Sequence, residues 1–193
     1  PQQLDYAPQL IQLWRKAEQP ANELEYIAVE GKKLVDLAGY QNFQTARDLY
    51  ERAFDILPSA DASQTLELNI TTHRGVTYLG LHQLEDAIPF LERAIELSNT
   101  LGENYYGAHA LVGLARAKMA KSSKSDILAL LDEGVQKATS TQNYRLRASV
   151  YGLRGYIFAY YNDFASALNA FVDGNEALKV ANLEPDRAMM LNN

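Results

Sequence analysis

Cysteine is absent from this chain, which excludes disulfides, thiolate metal sites and a cysteine nucleophile together. Histidine is scarce. His73, His82 and His109 are the whole supply, no H-E-x-x-H helix joins two of them, and no thiolate can complete a zinc set. Basic runs are also missing. The formal net charge is −6, whereas direct nucleic-acid binding leaves a basic footprint, so no direct nucleic-acid binding is expected. The most apolar stretch, Gly155 to Tyr161, is bounded by Arg154 and Asp163 and falls far short of the roughly 20 residues of a spanning helix. Membrane insertion is therefore not expected. A cysteine-free chain suits reducing cytoplasm, the expected location. The first residue is Pro1, with no Met and no basic-then-apolar leader, so we expect a piece cut from a longer chain.

Catalytic motifs are wanting as well. Gly75 and Gly80 have the spacing of a phosphate loop, but Leu81-His82 stand where Lys-Ser/Thr is required. No G-x-S-x-G elbow occurs. Glu85-Asp86 and Asp132-Glu133 lie on polar helix faces and read as solvated surface. No catalytic residue, metal or cofactor is assigned, and the chain does not read as an enzyme.

What is present is a repeat. Four segments align: Phe43 to Ala53, Leu84 to Ala94, Lys124 to Gly134 and Phe164 to Gly174. They share a small or apolar column (Ala46, Ala87, Ile127, Ala167), a bulky column (Tyr50, Leu91, Leu131, Phe171) and a small column (Ala53, Ala94, Gly134, Gly174). Members of the first column recur at intervals of 41, 40 and 40 residues. Within a segment the steps are helical, as in Leu84, Ala87, Ile88, Leu91, Ala94 and Ile95. A second amphipathic helix precedes each one, over Asn22–Ala38, Ser63–Leu81, Tyr105–Ala120 and Tyr144–Tyr161. Breaks are predicted at Pro58-Ser59, at Asn99 to Gly102, at Ser122-Ser123 and at Ser140-Thr141. The unit is a helix hairpin of about 40 residues, which cannot bury its apolar face alone and must stack on neighbours. Small residues let two helices approach while Tyr, Leu or Phe fills the adjacent groove. Gly75 and Gly155 read as close-contact points, because a glycine inside a helix costs about 1 kcal/mol against alanine. Tyr50, Tyr78 and Tyr151 read as packing.

The stretch from Leu66 to Leu97, with Gly75, Tyr78, Ala87, Leu91 and Ala94, resembles a tetratricopeptide repeat (TPR). The first hairpin adds the family's ending with Ala46, Tyr50, Ala53 and Pro58. The period departs from the 34-residue standard and is similar to the long-period repeats of bacterial signalling ATPases, peptide-responsive regulators and MalT-like transcription activators. The third copy is degenerate, with Lys118 and Lys124 where large apolar or aromatic residues stand in the second and fourth. The resemblance implies an all-α, right-handed superhelical solenoid of about four helix-turn-helix (TPR-like) repeats plus flanking helices. It also implies a protein or peptide ligand on the concave surface lined by the first helices. In that register the groove residues are Asn69, Thr72, Val76, His109, Val112, Arg116, Tyr156 and Tyr160, the alternatives being core packing for the two tyrosines and plain solvation for the others.

The expected organisation is a single solenoid domain over 1–193, with repeats at 22–60, 63–101, 104–140 and 144–182. Residues 1–21 form an N-terminal flanking helix in which Trp14 covers the end of the stack. Residues 183–193, opening with Glu184-Pro185-Asp186, begin a capping helix or a truncated repeat. The expected role is a binding scaffold or sensor in a larger signalling or transcription-regulating protein. The alternative is a structural assembly factor or self-associating solenoid, with homo-oligomerisation through the solenoid ends. An excess of apolar residues on the outer second-helix face would favour that alternative.

Overall fold

The computed structural model of the chain describes residues 12–14 and 18–181. The remainder of the predicted N-terminal flank and the segment 183–193 lie outside the described residues. From residue 20 the chain runs as α1 (Pro20–Leu37), α2 (Tyr40–Ile56), a 3-10 turn (Leu57–Ser59), α3 (Gln64–Gly80), α4 (Leu84–Leu101), α5 (Asn104–Lys118), α6 (Lys124–Ser140), α7 (Tyr144–Tyr160) and α8 (Phe164–Val180). No strand occurs among the described residues. The ends of the first helices (α1, α3, α5 and α7) lie within two residues of where the periodicity places them. One predicted break moves. Asn99, Thr100 and Leu101 stay helical, and the chain turns at Gly102, whose φ of 71° is cheap only for glycine.

Side-chain caps explain several of the helix starts. Ser63 Oγ accepts from Leu66 N at 3.2 Å, Ser123 Oγ from Asp126 N at 3.2 Å, and Asn143 Oδ1 from Leu146 N at 2.9 Å. Each satisfies a backbone donor that the first turn leaves unpaired. Asp163 Oδ1 does the same for Ser166 N at 3.3 Å. Hydrogen bonding from the Ser166 side chain, and then from its backbone N–H, holds the Asp163 carboxyl below its usual value.

The turns inside the second and fourth hairpins repeat one geometry. His82 and Asn162 both take φ of 60°. Gln83 N donates to Tyr78 O and Asp163 N to Phe158 O, each at 2.9 Å. This six-to-one bond around a left-handed residue is the Schellman ending of a helix. The hairpins thus close alike at their turns.

The described helices fall into two compact units, 1–90 and 91–193, with the division inside α4. In the first, α1 and α2 pair and α3 packs on both. Leu24, Ile27, Ala46, Tyr50, Ala53 and Ile70 form its buried cluster. In the second, α5 pairs with α6, α7 packs on both, and α8 pairs with α7. Ile127, Leu131, Val150 and Ile157 are fully buried there, and each such aliphatic side chain contributes about 1.5–3 kcal/mol. The repeat columns are the core. Every member is buried except Phe171, which is half-buried. Gly155 is a close-contact point as its column suggests, since a Cβ there would sit 2.7 Å from Phe171 Cε1.

The two lysines of the degenerate third copy are accommodated by partners far away in the chain. Lys118 Nζ reaches Glu92 Oε1 at 2.6 Å. Lys124 Nζ lies 3.3 Å from Asp163 Oδ2 and 5.1 Å from the Phe158 ring centre. Hence α6 holds the α7–α8 turn by a charge and a cation–π contact, where an apolar side chain would otherwise pack.

Candidate functional site

Within the second unit, α5 and α7 lie side by side, and equivalent positions on them are 40 residues apart. His109, Val112 and Arg116 on α5 correspond to Ser149, Gly152 and Tyr156 on α7. Helical steps of four, three, four and four carry one face of α7 through Arg145, Ser149, Gly152, Tyr156 and Tyr160. All but Gly152 are exposed. Tyr156 is 51% and Tyr160 59% exposed, a large aromatic surface offered to solvent from a rigid helix. The Tyr160 ring stands edge-on to Tyr161, with centres 5.2 Å apart.

On α5, Arg116 is exposed and forms no ion pair with the described residues, so its guanidinium is open to an incoming carboxylate or backbone carbonyl. His109 is half-buried, and its ring packs edge-on against Tyr105 at 5.1 Å. The face therefore combines two phenols and a cation, the side chains most used as interface anchors.

Two of the predicted groove residues are corrected by their burial. Val112 is buried and belongs to the apolar cluster with Ile127 and Val150. Thr72, on α3 in the first unit, is wholly buried, and its Oγ1 donates to Leu68 O at 2.8 Å. Both occupy the column that holds glycine at Gly31 and Gly152. Neighbouring helices pack close at this column, leaving Thr72 no free surface and Val112 only 9%. Asn69 and Val76, also on α3, are half-buried. Asn69 O accepts from His73 Nδ1 at 2.9 Å, and Asn69 Oδ1 is buried with no hydrogen-bond partner. Arg145 and Ser149 extend the exposed line of α7 but were not in the sequence assignment. The signal for them was their spacing of three and four residues from Gly152 and Tyr156.

A cleft of about 340 Å³ lies beside the start of α1, bordered by Trp14, Glu23, Arg52 and Ile56. The Trp14 ring packs 5.1 Å from Tyr26. Within this cleft Arg52 and Glu23 bind each other. Among the described residues no cluster of His, Asp and Glu could hold a metal ion, and no helix is long and apolar enough to cross a membrane.

Paired helices with small-residue crossings, arranged in successive hairpins, define a TPR-like helical-repeat fold, a fold commonly used as a protein-interaction scaffold. Solved structures share this fold. It is similar to BtubC (BKLC) from P. vanneervenii, with 16% identity and a TM-score of 0.65 over 98% of this chain and 87% of that one. It is also similar to a Podosopora anserina putative kinesin light chain with nearly identical TPR-like repeats, with 14% identity and a TM-score of 0.60 over 90% and 93%. Identities this low carry the fold and leave the subfamily open. No protein-family model and no curated protein sequence matches the chain.

Proposed function

We propose that the chain is a non-catalytic binding module that holds an extended peptide or a helix of a partner protein across the α5–α7 face. The observation that carries this reading is the exposure of Tyr156 and Tyr160 four residues apart on one rigid helix. Tyrosine offers large contact area at low entropy cost, and exposing two of them needs a reason that folding does not supply. Arg116 adds a cation on the adjacent helix for a carboxylate or backbone carbonyl. On α3, in the first unit, Asn69 and Val76 are proposed as ligand contacts of that unit by itself. Following the family resemblance, the module acts as one domain, the sensor or scaffold part of a larger signalling or transcription-regulating protein in the cytoplasm.

Selection of a displayed random-peptide library on the full chain tests this. Selected peptides should lose about 30-fold or more in affinity to Tyr156→Ala, Tyr160→Ala or Arg116→Ala, the scale of an anchor worth about 2 kcal/mol. The melting temperature should stay unchanged, because exposed changes usually remain within about 0.5 kcal/mol. Peptides that bind all three variants as tightly as the parent chain would sink the assignment. A self-associating role has its own support in the apolar outer surface of α8, which a ligand face on α7 leaves unexplained.

A further inference from the structure

The outer line of α8 presents Phe164, Leu168 and Val172, four residues apart, with Phe164 and Leu168 67% and 64% exposed. The equivalent line one repeat earlier, on α6, is Lys124, Leu128 and Asp132; there Lys124 and Leu128 are half-buried, and Asp132 stays exposed but paired. Lys124 meets Asp163 and the Phe158 ring, Leu128 packs on the cluster that contains Val150, and Asp132 Oδ1 binds Arg154 Nη2 at 3.0 Å. This line of a second helix is therefore the seat for the following hairpin. On α8 the seat is built, wholly apolar and vacant of any described residue.

The matching surface lies on α1. In the same register, the residues that fill the α6 seat, Val150, Arg154 and Phe158, correspond on α1 to Val29, Lys33 and Leu37. Asp163 corresponds to Asn42. At the Val29 position α3 carries Ile70, which is buried in the cluster with α1 and α2 residues. On α1 itself Val29 and Leu37 are 67% and 64% exposed. The charges have changed on both surfaces together. Where Lys124 needs Asp163, Phe164 would face Leu37 and the neutral Asn42. Where Asp132 needs Arg154, Val172 would face Lys33, whose ammonium is bound by Glu30 at 3.0 Å. Each substitution on one surface is matched on the other, and no charge is stranded between them.

We propose that a second copy of this chain is the occupant: the α8 line of one copy seats the α1 face of the next, reproducing between molecules the contact that α6 makes with α7 within one. Such an interface is heterologous, so an open pair keeps one α8 line and one α1 face free and adds further copies, into a closed ring or a filament. The interface is independent of the peptide face on α5 and α7, and peptide binding can fail without touching it.

The test is sedimentation velocity of the full chain across a concentration series, with Leu168→Asp and Val29→Asp. The parent chain should gain mass steadily with concentration, and each variant alone should stay monomeric. Mixed in equal amounts, the two variants should form a dimer and stop there, since the mixture retains one intact α8 line and one intact α1 face. Both positions are exposed, so circular dichroism melts should match the parent. Phe164→Ser and Leu37→Ser, on the same two surfaces, replace any variant that does not fold. A parent chain that remains monomeric throughout overturns the proposal, and then another chain covers the α8 line. It is equally overturned if Val29→Asp leaves association intact, which would point to a symmetric α8–α8 contact. It also fails if the mixed variants do not pair.

Discussion

Arg52 holds Glu23 through two parallel hydrogen bonds, Nε to Oε1 at 2.8 Å and Nη2 to Oε2 at 3.1 Å, with the carboxylate almost wholly buried. The pair ties α2 to α1 across the first hairpin, and the bond to Glu23 raises the Arg52 pKa above its ordinary value. Bidentate geometry makes this the strong kind of ion pair. Its desolvation cost still means that losing one partner hurts more than losing both. Arg52→Ala should therefore destabilise the chain by about 2–4 kcal/mol. Glu23→Leu combined with Arg52→Met should recover at least half of that loss. Urea unfolding of the two variants checks it, and a double variant as unstable as Arg52→Ala would show that the pair contributes more than its own burial costs.

His73 on α3 sets a pH dependence. Burial lowers its pKa to about 4, against the opposing effect of its bond to Asn69 O. An unfolded histidine titrates near 6.5, so between about pH 6.5 and 4 the unfolded chain binds a proton that the folded chain refuses. Stability is then complete above about pH 6.5 and falls as the pH drops toward 4. The loss over that window is on the order of 3 kcal/mol, from the size of the shift. His73→Gln should flatten this part of the stability profile while leaving the carboxylate-dependent loss at lower pH. A profile that is unchanged by the substitution would assign the acid sensitivity to other groups.

The left-handed turn residues should respond unequally to glycine. His82 carries a bulky ring at φ of 60°, whereas Asn162, at the same φ, is a residue type that tolerates this region. His82→Gly should raise stability by about 0.5–1 kcal/mol, and Asn162→Gly should be close to neutral. His82→Val should be destabilising, since a β-branched residue is poorly suited to positive φ. Thermal melts of the three variants give the order directly.

Much of this fold could be read from the chain because repetition makes a weak signal strong. A single Ala87 or Leu91 says little, but columns kept at 40 or 41 residues through four copies locate both helices and core. The contacts that sequence did not reveal are those set by distance in space. Lys124 looks like a defect until Asp163, 39 residues on, is seen beside it. Glu23 meets Arg52 at a separation of 29 residues. Helical register correctly assigns Val112 to the same face as Arg116, but register gives direction and not depth. How closely α7 approaches decides that Val112 is core while Arg116 stays exposed. The exposure of Phe164, Leu168 and Val172 was likewise hidden, because an apolar stripe reads as core wherever it occurs.

At Gly155, α7 and α8 approach too closely for a side chain to fit without movement of its neighbour. A Cβ on this residue would lie 2.7, 2.8 and 2.9 Å from Phe171 Cε1, Cδ1 and Cζ, nearer than carbon atoms pack. Gly155→Ala brings two opposing effects. Alanine gains about 1 kcal/mol over glycine in a helix interior, while forcing the half-buried Phe171 ring aside costs about 1–3 kcal/mol. In the parent chain the clash should prevail, with a net loss of about 1 kcal/mol. In a Phe171→Leu background the shorter side chain vacates the ring edge, and the same Gly155→Ala change should turn stabilising. That reversal of sign, measured as a double-mutant cycle by urea unfolding, is specific to the contact between these two residues. If Gly155→Ala has the same effect in both backgrounds, the glycine is not there to admit the Phe171 ring, and the small-residue logic of the hairpin crossing fails at this site.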